Sequence, residues 1–166
     1  MTADGLIDAV RTLNASDSFR PRLDPQQWRS FAATLHAVTL QPGDALLRQG
    51  EPERAVFFVG SGSLQQYAPQ AVGGRRPVTL LRPGAVLGEP VLFTESPSVS
   101  PVQVEAVPRT TVFCLTRARF QELALRQPVV AMEVLRALGA VMARRMQAEA
   151  APAPTPASPP AALRAA

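Results

Sequence analysis

The spacing of apolar positions changes twice along this chain, and each change marks a new kind of structure. Leu6 to Leu13 carries apolar residues at helical spacing, and Pro25 to Leu35 does so again, with Trp28, Phe31 and Leu35 on one face. Asp24 ahead of Pro25 reads as a helix start, because a carboxylate accepts from first-turn amides and proline at the first position has no amide to lose. From Ala37 to Leu115 the pattern becomes short apolar runs cut by turns: Gln41-Pro42-Gly43-Asp44, Gly50-Glu51-Pro52, Gly60-Ser61-Gly62, Gly73-Gly74 and Arg82-Pro83-Gly84. Strands at intervals of roughly 8–12 residues predict a β barrel or sandwich. Val102 to Ala106 alternates cleanly, one face apolar and one wet. Helical spacing returns over Arg117 to Leu125, stops at Gln127-Pro128, and resumes from Val129 to Gln147.

The last helix carries two apolar stripes. Ala131, Leu135, Leu138 and Met142 form one, Val130, Val134, Ala137 and Val141 the other, and Glu133, Arg136, Arg144 and Gln147 make a single polar line. A surface helix needs one apolar face, so two stripes call for two partners. One partner is its own barrel. The other is a second copy of the chain, meeting it through Ala131, Leu135, Leu138 and Met142; the alternative is a helix sunk between barrel and N-terminal helices.

Composition then narrows the chemistry. At 166 residues the chain has room for one domain, and residues 1–150 are read as that domain. Residues 151–166 are nearly all Ala and Pro, with prolines at 152, 154, 156, 159 and 160, and are expected to form a disordered or polyproline-like tail. All 17 basic residues are Arg, for a net charge of +4. Without Lys there is no Schiff base and no P-loop. Single Cys114 and single His36 leave no Cys-rich or His-rich metal site. No nucleophile–base pair or phosphate-cradling loop is visible, so the chain is read as a non-enzyme that takes no metal. Met1 to Val10 carries Asp4 and Asp8 instead of an export pattern, and no apolar run approaches the roughly 18 residues of a membrane span, so the expected location is the cytoplasm.

The ordered set of turns resembles a known family. Leu40-Gln41-Pro42-Gly43-Asp44, Arg48-Gln49-Gly50-Glu51, Phe57 to Leu64, Leu80-Leu81-Arg82-Pro83-Gly84 and Leu87-Gly88-Glu89 look like successive turns of the cyclic-nucleotide-binding domain found in catabolite-activator/Fnr regulators. Phe120, Leu123 and Pro128 with the long helix resemble its two C-terminal helices, so the likeness runs from about Asp24 to Met146. It implies an α+β, mainly β fold: a β-roll (double-stranded β-helix or jelly roll) flanked by N-terminal helices and two C-terminal helices. It also implies a ligand cassette over Gly88, Glu89, Val91, Leu92, Val99, Ser100 and Pro101, with cyclic AMP or cyclic GMP as ligand. In such a cassette Gly lets the backbone approach the sugar, Glu accepts from a ribose hydroxyl, and amides of a short helix face the phosphate.

Two departures qualify the resemblance. Where the family places Arg before a Ser/Thr-Ala pair, this chain has Val99-Ser100-Pro101 or, shifted by one, Ser100-Pro101-Val102, and no basic residue lies between Arg82 and Arg109. Pro90, Pro97 and Pro101 remove backbone donors as well. Charge-assisted hydrogen bonds to a phosphate are worth about 1.5–3 kcal/mol each, so the loss is roughly one to two decades of affinity. A substitute would have to come from Arg75 or Arg76 on the preceding hairpin, or from Arg126 or Arg136 across the helices. In the regulators, moreover, the long helix leads into a DNA-binding helix-turn-helix, whereas here Ala/Pro sequence follows, so no direct DNA contact is expected. Arg144-Arg145 is read as cations favoured at a helix C-terminus.

The expected function is a stand-alone regulatory module, homodimeric, that senses a cyclic nucleotide or relays signals to a protein partner, ligand occupancy shifting the hinge at Pro128. Two alternatives stand beside it: an association domain that binds no nucleotide, and a regulator fragment acting through a full-length relative. Glu89 is either the ribose acceptor or a turn residue satisfying nearby amides.

Overall fold

The computed structural model describes residues 3–13, 18–96 and 99–150. The proposed tail, residues 151–166, lies outside the described residues. Helix α1 (Ala3–Thr12) is followed by α2 (Pro25–Ala33), eight strands, α3 (Arg117–Arg126) and α4 (Pro128–Ala150). Asp24 Oδ1 accepts from the amides of Gln26 and Gln27 at 2.8 Å, and Gln27 Oε1 accepts from the Asp24 amide at 2.9 Å. That reciprocal capping fixes the start of α2 where the Asp-Pro signal predicts it.

Strands β1 (His36–Leu40), β8 (Thr110–Thr116), β3 (Ala55–Ser61) and β6 (Val86–Leu87) form one antiparallel sheet in that order. Strands β2 (Ala45–Leu47), β7 (Gln103–Ala106), β4 (Leu64–Pro69) and β5 (Arg75–Leu81) form the second. The period of two in β3 and β8 divides their side chains between two cores. Val56 and Phe58, registered opposite Leu115 and Phe113, face the helices. Val59, opposite Val112, joins Leu40, Leu64, Leu87 and Val104 between the sheets. The α+β, mainly β roll implied by the family resemblance is the architecture formed.

Phe19, Phe31 and Phe58 meet with ring centroids 5.0–6.1 Å apart, which ties α2 and the segment before it onto β3. Helix α4 buries Val130, Ala131, Val134, Ala137, Leu138 and Val141 in the same core. A strap along residues 18–22 crosses α4. The Arg22 amide donates to Glu133 Oε1, and Arg144 Nη2 donates to Ser18 O at 3.3 Å. Two members of the expected dimer stripe, Ala131 and Leu138, are thus 3% and 0% exposed within the protomer, while Leu135 and Met142 are part-exposed. The sunken-helix alternative accounts for those two positions, because the two stripes lie close enough around α4 for both to reach the same core.

Candidate functional site

The cassette begins where β6 runs out. Gly84 at the β5–β6 turn donates to Val59 O at 2.7 Å, and β6 pairs with β3 through Phe57 opposite Leu87. Gly88 then turns the chain with φ at +79°, and a β-carbon there would lie 2.4 Å from Ala55 O. Both conditions exclude other residues. A one-turn 3-10 helix, Glu89–Leu92, follows, with Val91 buried and Leu92 part-buried. Arg117 Nη2, from the first turn of α3, donates to Val91 O at 2.6 Å and also to Thr94 O, so α3 holds the end of this turn.

Glu89 is 3% exposed. Its Oε1 receives Arg145 Nη1 at 2.5 Å, and Arg145 Nη2 donates to Val86 O at 2.9 Å. One guanidinium near the end of α4 therefore grips both the cassette carboxylate and the strand leading into it. A carboxylate this deep requires such a partner, since desolvation otherwise disfavours its charged form.

The second half of the cassette is held elsewhere. Val99 bridges Pro52, and Ser100 exchanges backbone hydrogen bonds with the 50–51 turn, Gly50 N to Ser100 O at 2.9 Å and Ser100 N to Glu51 O at 3.0 Å. Ser100 is 1% exposed, and its Oγ donates to Val102 O at 2.9 Å. Val99 is 56% exposed, and Pro101 is exposed. Glu53 hydrogen-bonds Ser100; burial pushes its carboxyl above the usual carboxylate range, and the Ser100 contact opposes that rise. A cavity of about 450 Å³ lined by Pro52, Glu53, Arg54, Val91, Glu95 and Arg117 joins the two halves. A smaller one of about 220 Å³ lies beside Arg145, walled by Leu13, Leu80, Leu81 and Ala85 among others.

None of the four arginines considered as substitutes is the one at Glu89. Arg75 pairs with Glu105 and lies 4.5 Å over the Tyr67 ring. Arg136 pairs with Glu133 at 2.7 Å, Arg126 lines a groove between α2 and α3, and Arg76 is exposed on β5. Arg145, expected to serve the helix terminus, is the residue that reaches the cassette. Sequence pattern does not separate it from Arg144, because only the helix rotation aims one at Glu89 and the other at Ser18. Glu53 and Arg117 were likewise unmarked by any local motif. Among the described residues no cluster of three potential metal ligands occurs, and no helix is long and apolar enough to cross a membrane.

Comparison with known proteins agrees with this fold. The family described as "Cyclic nucleotide-binding domain" matches residues 37–127, more than half of the chain. A "Cyclic AMP receptor protein" of Thermus thermophilus is 33% identical over 106 residues, which is 63% of this chain and 46% of that protein. An "Acetyltransferase Pat" of Mycolicibacterium smegmatis is 30% identical over 79 residues, 47% of this chain and 23% of that protein. The chain thus spans less than half the length of these curated relatives. A crystal structure of a cyclic nucleotide-binding domain from Methylobacillus flagellatus superposes with a TM-score of 0.73 at 15% identity, over 88% of this chain and 79% of that one, a likeness of fold.

Proposed function

The chain belongs to the cyclic nucleotide-binding domain family, and we propose that it is a non-enzymatic regulatory module in which α4 reports the state of the cassette. The observation carrying this reading is the Arg145 grip on Glu89, which links the ligand turn to the helix across 56 residues of sequence. A ribose hydroxyl donating to Glu89 would compete with Arg145 for the same oxygens. Occupancy of Gly88, Glu89, Val91, Leu92, Val99, Ser100 and Pro101 would then loosen or re-aim the end of α4, the hinge lying at Pro128. The Thermus relative's name makes cyclic AMP the first ligand to test, with cyclic GMP second.

The output surface is the exposed side of α4. Met132, Leu135, Gly139, Met142 and Met146 follow one another at alternating intervals of three and four residues, the spacing of a coiled-coil seam. Met132 and Met146 are each 66% exposed, and a β-carbon at Gly139 would meet nothing within 4 Å. Self-association of the module, in the cytoplasm, would use this seam, keeping Leu135 and Met142 from the expected stripe and replacing buried Ala131 and Leu138 by Met132 and Met146. The message passes to a protein partner.

Calorimetry with cyclic AMP, cyclic GMP and cyclic di-GMP tests the sensing role. Saturable heat with one of them, abolished by Glu89→Ala, is the expected result. Absence of heat from all three would reject it and favour the ligand-independent association domain, the reading that the lack of any Arg between Arg82 and Arg109 supports.

A further inference from the structure

The segment that leads into β3 forms one wall of the cavity at the cassette, and that wall carries a cation. The space, about 450 Å³, is lined by Pro52, Glu53, Arg54, Val91, Glu95 and Arg117, within the range of about 300–1,000 Å³ usual for small-molecule sites. Val91, two residues after Glu89, belongs to the first half of the cassette. Pro52 forms an antiparallel bridge with Val99 of the second half. Residues 52–54 are therefore tied to one half of the cassette and face the other across the cavity.

The four charged groups around this cavity are not equivalent. Arg117 Nη2 is committed to Val91 O and Thr94 O. Glu95 is exposed, where solvent screens its charge. Glu53 is part-buried, and burial raises its carboxyl above the ordinary carboxylate range, so it surrenders its negative charge more readily than an exposed acid. Arg54 is exposed, and among the described residues no hydrogen bond or ion pair engages it. No basic residue lies between Arg82 and Arg109, so an anionic group entering this cavity meets Arg54 as its uncommitted cation. The planar fork of a guanidinium matches two phosphate oxygens at once.

We propose that Arg54 is a ligand-binding residue: its guanidinium, presented from the segment before β3, receives the phosphate of a nucleotide whose ribose is held at Glu89. The inference rests on the cassette being a nucleotide site, but the anion contact can be measured apart from the rest of the ligand. A local motif does not reveal it, because Arg54 lies 35 residues before Glu89 in the chain and only the fold brings its loop to the cassette.

The test titrates the full chain with cyclic AMP, with adenosine, which lacks the phosphate, and with inorganic pyrophosphate, using calorimetry and the NMR signal of Arg54 Nε. Cyclic AMP is expected to bind more tightly than adenosine. Arg54→Met, at an exposed position that leaves the fold intact, is expected to weaken cyclic AMP about tenfold to a hundredfold and to leave adenosine unchanged. Arg54→Lys should recover part of the loss, since lysine keeps the charge without the fork. Arg76→Met removes the same charge from exposed β5 and should alter neither ligand. Cyclic AMP binding that Arg54→Met leaves unchanged, or that Arg76→Met weakens equally, would overturn the role of Arg54 and keep the sensor. Pyrophosphate that shifts Arg54 Nε, with no binding of cyclic AMP or adenosine, would reject the nucleotide reading and keep the anion contact. Failure of all three probes to bind would overturn both.

Discussion

Arg145 Nη1 of α4 lies 2.5 Å from Glu89 Oε1 in the cassette turn, and the same guanidinium reaches Val86 O. Glu89's side chain is 4% exposed and Arg145's 33%, so the pair is shielded on one side and wet on the other. Losing one partner of a fully buried pair costs about 3–5 kcal/mol. Partial exposure of Arg145 brings the expected loss for Arg145→Met down to about 2 kcal/mol, near the value of one charge-assisted hydrogen bond. Glu89→Gln combined with Arg145→Met should be less destabilised than the sum of the single changes, because the double variant leaves no unpaired charge. Urea unfolding of all four proteins checks this, and strict additivity would show that the two residues act independently.

Gly88 and Gly43 share a positive φ, +79° and +88°, but differ in surroundings. A β-carbon at Gly43 meets nothing within 4 Å, whereas at Gly88 it meets Ala55 O at 2.4 Å. Gly43→Ala should therefore cost only the left-handed backbone penalty, about 1–2 kcal/mol. Gly88→Ala should cost clearly more and move the cassette as well. Thermal unfolding of both variants decides it; equal losses would mean that Ala55 yields without strain.

The Glu133 carboxyl is pulled down to about 2 by Arg136 hydrogen bonds, helped by the Arg22 amide and opposed by burial. Its folded value is below its unfolded one, so its contribution is present above the ordinary value of 4.5 and fades as pH falls from there towards about 2. The strap over α4 should thus loosen in acid. Glu133→Gln should be less stable than the natural chain at pH 7, with the gap narrowing below pH 4.5 and closing as pH falls through about 2. Urea midpoints across that window test it, and a constant gap would exclude titration of Glu133 as the cause.

Cys114 lies in β8 opposite His36 of β1, 5% exposed, and burial pushes its thiol up from 9.0 to about 11. A raised folded value means that the fold favours the protonated thiol, so stability declines as pH rises from about 9 to 11. The thiol should resist iodoacetamide at pH 8 until urea unfolds the chain. Rapid alkylation of the folded protein would contradict this burial.

Changing the exposed seam and changing the buried stripe of α4 should have different results. Met146→Glu, at a position 66% exposed, should leave thermal stability within a few degrees while converting a dimer to a monomer in light scattering. Leu138→Glu, at a position 0% exposed, should unfold the chain by burying an unpaired charge. A Met146→Glu protein that still dimerises would move the interface off this seam.

The alternation of helix and strand zones is legible along the chain alone, because period and turn chemistry are local. Asp24-Pro25 capped α2, the Pro-Gly turns bounded the strands, and Val102 to Ala106 announced the half-buried β7. Gly88-Glu89 was legible for the same reason, as a short motif at a fixed place among those turns. The partners across the fold, by contrast, emerge from packing in three dimensions. How much of each α4 stripe meets the core depends on how the helix is rotated against α3, the 89–92 turn and the helix-side core. That rotation buries Ala131 and Leu138, leaves Met132 and Met146 outside, and aims Arg145 at Glu89 and Arg144 at Ser18. Apolar periodicity on a helix striped twice leaves that angle open, because several rotations would bury apolar residues until the neighbouring elements fix one of them.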